Sequence, residues 1–406
     1  MDQKGKKGRE ILNSLLHNEA TVGIVLLLCA IAAVSMASFP QTRWFGELWG
    51  KDMGIIIGDF SLKMSLRHWI NDALMAIFFF VVGLEIKAEM LAGHLSSIKK
   101  AALPVLAAAG GMVVPALIYS VFNIGDPAAE RGWGIPMATD IAFAIGIISI
   151  LGSRVPVGLK IFLAALAVVD DLGAIIVLAI FYPSHALHTG WMILAAATFI
   201  ILFIFNRRKL RNRWLYILPG FFLWYFVYQS GIHATVAGVL LSMVIPSRGK
   251  SGELKDSMLK SFEHGMKPYV NFLVMPLFAL ANAGVALDFS TFSGGTIPGV
   301  SLGIFFGLLV GKPLGIFLVS WLGVKMKFAS LPEGIRWNQV VAMGILGGIG
   351  FTMSIFINSL AFTDPALTDM GKMSILIASA SAAIIGLAVL RMTCPSEKES
   401  YDVKNI

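Results

Sequence analysis

The chain has 406 residues, of which 57% are hydrophobic and 14% are charged. Soluble domains carry about 25% charged residues, so the composition excludes a water-soluble globular protein and indicates one that crosses a membrane many times. The two cysteines, Cys29 and Cys394, are far apart in the sequence and provide neither a disulfide framework nor a Cys-X-X-Cys metal site. The net charge of +8 requires no nucleic-acid partner, because the positive residues follow the pattern expected of membrane topology.

Twelve apolar segments are candidates for transmembrane helices. Of the 32 lysines and arginines, 25 lie in connections on the side of the N-terminus, 6 lie in connections on the other side, and Lys312 remains inside a span. This asymmetry predicts that both termini are cytoplasmic. We therefore expect an all-α polytopic membrane protein without a separate soluble domain. The predicted spans are about 20–38, 68–86, 101–123, 134–151, 157–181, 190–205, 214–228, 232–245, 269–283, 299–323, 339–360 and 373–390.

The first external connection, residues 39–66, contains two β-prone runs around a turn signal at Gly58-Asp59. This pattern predicts a small β-hairpin outside the bilayer, with a free strand edge for pairing. Span 2 follows, and Asp72 near its external end has two interpretations, an interface charge or a functional group. An amphipathic cytoplasmic helix is expected within residues 246–268.

Four titratable residues near the cytoplasmic side are candidates for regulation. Glu85 and Glu89 share one helix face at the end of span 2, and Glu263 and His264 lie in the basic connection 246–268. A histidine near acidic groups can titrate near neutral pH and control access to a site. The alternative is that all four side chains are simply solvated or interfacial.

Asp140 lies in a short span that also contains Pro136 and several glycines, and span 11 is interrupted by glycines at 344–350. Interrupted segments in the two halves of a transporter indicate discontinuous helices at the transport site. Ordinary glycine-mediated helix packing is the alternative, but the buried charges favour broken helices. Each break exposes partial charges, so we expect Asp140 to offset facing helix N-termini and Lys312 to offset facing C-termini.

Asp170 and Asp171 lie in the middle of the apolar run 157–181, which would be about 37 Å long as a helix. Each aspartate at such depth costs about 2.5–3.5 kcal/mol, so the pair is expected to mark an ion or proton path. The alternative is a structural pair with hydrogen bonds inside the bundle. Carboxylate oxygens suit hard cations, and a small monovalent cation is the expected substrate.

Lys312 is the one lysine or arginine that lies deep within a predicted span, away from its ends. Gly307, Gly311 and Gly315 share one face of this span and predict close helix packing. We expect this packing to let Lys312 reach Asp170 rather than Asp171. Three other polar residues have structural interpretations: His233 as a satisfied packing residue, and Asn282 and Asn358 as interhelical hydrogen bonders.

Two close carboxylates that must both be ionised to hold a cation would bind sodium and protons in competition. Binding of sodium would release up to two protons and make exchange electrogenic, although Lys312 could carry the second proton. Two other classes of membrane protein are alternatives. An intramembrane aspartyl protease needs one aspartate from each of two helices in YD and GxGD contexts, which the sequence lacks. A passive cation channel is disfavoured by a titratable Asp–Lys set on broken helices.

Six segments carry these residues: TDIAFAIG at 139–146, KIFLAALAVVDDLGAI at 160–175, SGIHATVAG at 230–238, NFLVMPLFALANAGV at 271–285, VGKPLGI at 310–316 and GGIGFTMSIFI at 347–357. Together they strongly resemble the NhaA family of bacterial sodium/proton antiporters, over roughly residues 18–392. The resemblance implies about twelve helices, with inverted-topology repeats at spans 3–5 and 10–12 and discontinuous helices 4 and 11. It also implies a core bundle at about 101–181 and 299–390 and an interface bundle at about 20–100 and 190–283.

For function, the resemblance implies a secondary antiporter rather than an enzyme, which exports Na+ and Li+ in exchange for H+ across the bacterial inner membrane and needs no cofactor. Asp170 and Asp171 would carry the ions, with Asp140, Thr139 and Lys312 around them. The hairpin at 39–66 would be a homodimer contact. Regulation by pH is associated with positions matching four residues: Glu85, Glu89, Glu263 and His264. The chain departs from some members at Ala88, which replaces an arginine, and at Lys267, which replaces a second loop histidine. These departures leave the pH range of regulation open.

Overall fold

The structure is a computed structural model that describes residues 19–57, 60–249, 251–286, 298–332 and 334–394. The described chain is predominantly helical. Its α-helices are α1 (Glu19–Ser38), α2 (Arg43–Gly50), α3 (Leu66–Trp69), α4 (Met75–Ala92), α5 (Ile98–Phe122), α6 (Pro127–Glu130), α7 (Ile141–Ile150), α8 (Val157–Phe181), α9 (Thr189–Arg207), α10 (Trp214–Ser230), α11 (Val236–Val244), α12 (Met258–Tyr269), α13 (Met275–Asn282), α14 (Gly299–Phe306), α15 (Lys312–Lys325), α16 (Trp337–Gly347), α17 (Phe351–Ala361) and α18 (Pro365–Thr393).

Three turns of π-helix connect α-helices without a break in the helical path. They are Ile70–Leu74 between α3 and α4, Val270–Val274 between α12 and α13, and Gly307–Gly311 between α14 and α15. Short 3₁₀-helices cover Pro40–Thr42, Arg131–Met137 and Gly152–Arg154. A π turn inserts one extra residue per turn and is often found at functional sites.

The two strands β1 (Asp52–Ile57) and β2 (Phe60–Ser65) pair antiparallel, with Asp52 opposite Ser65. Lys63 on β2 lies 3.1 Å from the Asp52 carboxylate on β1. The predicted turn residues Gly58 and Asp59 lie outside the described residues. The placement of this hairpin on the external side and in a dimer contact remains a prediction.

Six helical segments of the described chain are long and apolar enough to cross a membrane: Ala20–Ser38, Ile98–Phe122, Val157–Phe181, Thr189–Arg207, Gly299–Lys325 and Pro365–Thr393. Two bent helix pairs would each add one crossing. The helices of Pro127–Met137 and Ile141–Ile150 meet at 45°, and those of Trp337–Gly347 and Phe351–Ala361 meet at 48°. The breaks fall in the two segments that the sequence marked as interrupted. The count of twelve spans and the inverted repeats remain predictions.

Contacts divide the chain into two compact units. Unit 1 takes its described residues from 1–25, 94–174 and 288–406, and unit 2 takes them from 26–93 and 175–287. Helix α8 therefore contributes to both, and Asp170 and Asp171 belong to unit 1. Unit 1 also contains both bent helix pairs. Assignment of the two units to transport and interface roles remains a prediction.

In unit 1, the glycine face of α15 and its π turn packs against α5. A Cβ added at Gly315 would lie 2.0 Å from the Gly110 carbonyl oxygen, and one added at Gly311 would lie 2.9 Å from the Pro115 Cα. The two backbones are therefore in direct contact, as glycines at four-residue spacing allow. The close helix packing that the glycines predicted is therefore present. The helix in contact with these glycines is α5, whereas the aspartate pair lies on α8.

Candidate ion-binding site

The candidate site is built where the two interrupted helices of unit 1 cross. The 3₁₀-helix that precedes α7 ends at Met137, and α16 ends at Gly347. Short non-helical segments then lead into α7 and α17, and the Asp140 amide donates a 2.6 Å hydrogen bond to the Ile349 carbonyl oxygen across the crossing. Two helix C-termini and two helix N-termini therefore meet within the protein interior, each with backbone groups that need partners.

Asp140 satisfies both N-termini with one carboxylate. It is the N-cap of α7, where its Oδ1 accepts from the Phe143 amide at 3.1 Å. Its Oδ2 accepts from the Thr352 amide of α17 at 3.0 Å and from the Thr352 hydroxyl. Negative charge is stabilising at a helix N-terminus, and Asp140 is only 2% exposed. This is the arrangement that the sequence predicted for Asp140.

The two C-termini are satisfied by donors. The Lys312 ammonium donates to the carbonyl oxygen of Met137, the last residue of the 3₁₀-helix. The Thr139 hydroxyl donates at 2.9 Å to the carbonyl oxygen of Gly347, the last residue of α16. A cation at a helix C-terminus offsets the partial negative charge there. Lys312 thus meets the predicted type of partner, and Thr139 has an equivalent contact at the other C-terminus.

Lys312 also forms the expected ion pair with Asp170, with 2.7 Å between the lysine Nζ and the aspartate Oδ2. Both side chains are almost completely buried. The second oxygen of Asp170, Oδ1, has no hydrogen-bond partner in the part of the chain that the structure describes. The adjacent Asp171 is also buried, at 4% exposure. The site therefore holds two carboxylates and one amine away from solvent, which is costly unless the charges are paired or serve a function.

Lys312 is the first residue after the π turn Gly307–Gly311. In an ordinary α-helix, side chains follow a period of 3.6 residues per turn throughout. The π turn contains one extra residue and therefore shifts the direction of the side chains that follow it. The sequence carried no signal for this shift beyond the glycines. The residue spacing alone therefore could not have specified where the Lys312 side chain points.

The four candidates for pH regulation lie in unit 2. Glu85 of α4 forms an ion pair with Lys267 of α12 at 2.8 Å, and Glu263 pairs with Lys260 at 2.8 Å. The Lys267 ammonium therefore provides the partner for Glu85. Residues 258–269 form the helix α12, where the sequence predicted an amphipathic helix within residues 246–268; the cytoplasmic location of this connection remains a prediction.

Asp72 is buried at 6% exposure and interacts with two histidines, which disfavours the interpretation as an exposed interface charge. Its Oδ2 is 2.8 Å from His68 Nε2, and its Oδ1 is 3.6 Å from His233 Nε2. His233 Nδ1 lies 2.8 Å from the Thr235 hydroxyl, in agreement with a satisfied packing histidine. Asp72 lies in the π turn Ile70–Leu74, which the sequence did not indicate.

Two lysines that the sequence placed in connections make specific contacts with oxygen atoms of the protein. The Lys87 ammonium is within 3.3, 2.5 and 2.6 Å of the carbonyl oxygens of Ser242, Met243 and Ile245, at the C-terminus of α11. Lys372 is 5% exposed within α18, and its ammonium is 3.4 Å from Asp369. Neither lysine falls in an apolar run that would mark it as buried, and nothing in the sequence singled out either one.

The asparagines act as the sequence predicted. Asn71 and Asn282 exchange side-chain hydrogen bonds of 3.2 and 2.8 Å within unit 2. The Asn358 amide donates at 2.8 Å to the Thr368 carbonyl oxygen within unit 1.

The sequence model of one protein family, described as Na+/H+ antiporter 1, matches residues 13–390 of the chain. The chain belongs to this family. Three relatives are each 48% identical to it: the Na(+)/H(+) antiporter NhaA 2 of Flavobacterium johnsoniae over 383 residues, NhaA 1 of Clostridium beijerinckii over 394 residues and NhaA of Shigella dysenteriae over 384 residues. The alignments cover 94%, 96% and 94% of this chain and 92%, 98% and 98% of the relatives. The resemblance seen in the sequence motifs is therefore confirmed.

The fold is also similar to that of a solved structure, the sodium proton antiporter MjNhaP1 from Methanocaldococcus jannaschii, with a TM-score of 0.55. The alignment covers 92% of each chain at 12% sequence identity, so the likeness concerns the fold alone. Membership of the Na+/H+ antiporter family, together with the long apolar helices, identifies a multi-pass membrane protein. The relatives are named as transporters and not as enzymes.

Proposed function

We propose that the protein exports Na+, and also Li+, from the cytoplasm in electrogenic exchange for H+, by alternating access to a site at Asp170 and Asp171. The observation that carries the proposal is the buried Lys312–Asp170 ion pair of 2.7 Å beside the buried Asp171. Buried ionisable groups in a membrane protein usually mark an ion path. Family membership supports Na+ and H+ as the exchanged ions.

Sodium and protons compete for the same carboxylates in this mechanism. A sodium ion held between Asp170 and Asp171 requires both groups to be ionised, whereas protons neutralise them one after the other as a coupled pair. Arrival of Na+ releases up to two protons, so each cycle moves net positive charge in the direction of the protons. The ion pair links this exchange to Lys312, because a change in the charge of Asp170 changes the attraction that holds the ammonium.

The crossing supplies a framework that does not have to change its own charge. Asp140 offsets two helix N-termini, and Lys312 and Thr139 satisfy two C-termini. With these ends satisfied, the carboxylates of Asp170 and Asp171 remain the groups that gain and lose ions. The two half-helices then provide a rigid element around which access can alternate.

The finer features are part of the same proposal. Glu85, Glu89, Glu263 and His264 would adjust activity with pH from the cytoplasmic side, where both termini are placed by the distribution of positive charge. The hairpin at 39–66 would contribute to a homodimer in the bacterial inner membrane. The ion pairs Glu85–Lys267 and Lys260–Glu263 give the regulatory group a set of paired charges whose attraction salt can screen.

The proposal is tested by collapse of an imposed proton gradient in everted membrane vesicles. Addition of Na+ or Li+ to vesicles that contain the protein should release protons, and addition of K+ at equal ionic strength should not. Vesicles from cells without the protein give the background. Equal responses to all three cations, or ionic currents far above carrier rates, would instead support a channel and contradict the exchange mechanism.

A further inference from the structure

Helix α17 begins at the crossing with an N-cap that has no side chain. Its N-cap is Gly350, and the first helical residue is Phe351. The amides of the first turn cannot find partners within the helix and are usually satisfied by a Ser, Thr, Asp or Asn at the N-cap. Glycine cannot provide such an oxygen. In the protein interior these amides must therefore be satisfied by other segments, because an unpaired buried donor is costly.

Two different segments supply the missing acceptors. The Thr352 amide donates to Asp140, as described above, and the Phe351 amide donates at 3.2 Å to the hydroxyl oxygen of Ser379 in α18. The Ser354 amide donates at 2.9 Å to the Gly350 carbonyl oxygen and begins the regular pattern of the helix. Ser379 thus satisfies, from another helix, the first amide of α17, which an N-cap side chain would not reach because it accepts from the second or third amide.

Ser379 fixes the N-terminus of α17 next to Asp140, whose hydrogen bonds to Thr352 depend on the position of that helix. Asp140 already serves the N-terminus of its own helix through Phe143, and it reaches Thr352 through the other oxygen. A displacement of α17 would lengthen the bonds to Thr352 first. The ring of Phe351 also packs edge-on against that of Phe143, with 4.7 Å between centroids, so movement of one helix start disturbs the other.

We propose that Ser379 is a positioning residue for cation exchange, which holds the start of α17 in register with Asp140 and thereby sets the electrostatic field at the ion site. Ser379 is 6% exposed and lies in α18, outside the helices that contribute Asp140, Asp170 and Lys312. A neutral hydroxyl satisfies the amide without adding a further negative charge beside Asp140. The inference rests on the proposed function and names an additional residue that the exchange requires.

The test compares Ser379→Ala with Ser379→Cys and with the control Ser374→Ala. Ser374 lies in the same helix and is also buried, but its hydroxyl donates at 2.8 Å to the Met370 carbonyl of its own helix. Loss of one neutral hydrogen bond predicts an increase of about three- to ten-fold in the apparent KM for Na+ for Ser379→Ala, with a smaller change in maximal rate. The cysteine thiol is a weak acceptor, so Ser379→Cys should lie between serine and alanine. Ser374→Ala should leave the KM unchanged.

A second measurement does not depend on transport. In Ser379→Ala, amide hydrogen exchange of the peptide that contains Phe351 should be faster than in the wild type, and in Ser374→Ala it should not. Unchanged protection of this peptide in Ser379→Ala would overturn the inference. Faster amide hydrogen exchange in Ser379→Ala together with a wild-type KM for Na+ would also overturn it. So would a KM change in Ser374→Ala equal to that in Ser379→Ala. If Ser379→Ala does not fold, Ser379→Cys is measured by the same criteria. Absence of sodium-driven proton release in the wild type would refute the proposed function. The amide hydrogen-exchange measurement would still test the contact between Ser379 and Phe351.

Discussion

At the scale of single residues, the proposed function rests on the aspartate pair in the middle of α8. Replacement of either aspartate by asparagine keeps the size of the side chain and removes its ability to exchange a proton for a cation. We therefore expect Asp170→Asn and Asp171→Asn each to reduce sodium-driven proton release to the background of vesicles without the protein, while both variants remain folded in the membrane. Gel filtration in detergent checks folding. Normal exchange by either variant would remove that carboxylate from the mechanism.

Lys312 has two partners, and the second one bears on whether its proton takes part in exchange. An ammonium that also donates to the Met137 carbonyl has a structural task at a helix C-terminus in addition to the Asp170 pair. We therefore expect Lys312→Gln to remain electrogenic and to melt at a lower temperature than the wild type, because removal of one member of a buried ion pair costs about 3–5 kcal/mol. The measurement is sodium uptake under an imposed potential, with melting followed in detergent. Electroneutral exchange by this variant would instead assign the second proton to Lys312.

The sequence predicted Asp140, Asp170 and Lys312 because a charge in an apolar run is a strong signal. It could not predict Ser379 or Lys87. A serine in a helix of small residues has no distinguishing context, and its acceptor role arises only because folding brings it to the Phe351 amide, 28 positions earlier in the sequence. Lys87 follows an apolar segment like many interfacial lysines, and its contacts with the α11 C-terminus come from folding of distant segments.

At the scale of elements, contact between α5 and α15 positions the helix that carries Lys312. A Cβ at residue 315 would lie 2.0 Å from a backbone oxygen of α5, which cannot move without moving the helix. We expect Gly315→Ala to destabilise the protein by about 1–3 kcal/mol, as overpacking does, and to lower its melting temperature in detergent. Gly190→Ala in α9 is the matched control, because a Cβ there meets nothing within 4 Å.

A melting temperature for Gly315→Ala equal to that of Gly190→Ala would contradict the packing described here.

The spacing of residues in the sequence predicts only part of how a helix packs. Glycines at four-residue intervals predicted close approach, but they did not identify the partner helix. Proline and glycine content located the two interrupted helices, whereas the π turns before Lys312 and around Asp72 depend on tertiary packing and left no pattern in the sequence.

At the scale of the whole molecule, we propose that the paired strands provide a contact for a second copy. β1 and β2 form a two-stranded sheet among the described residues, and such a sheet has edges whose backbone groups remain available for pairing. We expect deletion of residues 53–64 to convert a homodimer into monomers that still exchange ions. Crosslinking in membranes and light scattering in detergent measure the dimer fraction. An unchanged dimer fraction after deletion would place the subunit contact elsewhere.

The family assignment could be made from the sequence because several motifs with buried charges occur together, and the relatives confirm it. The division into two units was proposed from the same resemblance. What the sequence could not provide is the pattern of hydrogen bonds that ties four helix ends to Asp140, Thr139 and Lys312, since those partners are separated by up to 212 positions.

In the proposed mechanism, sodium and protons alternate on Asp170 and Asp171, so that each cycle moves net charge. Sodium uptake into proteoliposomes under an imposed potassium diffusion potential measures this net charge movement. If protons leave in excess of the sodium that enters, a potential that is positive inside should accelerate sodium uptake, and one that is negative inside should slow it. Sodium uptake at equal rates under both potentials, at the same pH on both sides, would contradict this mechanism.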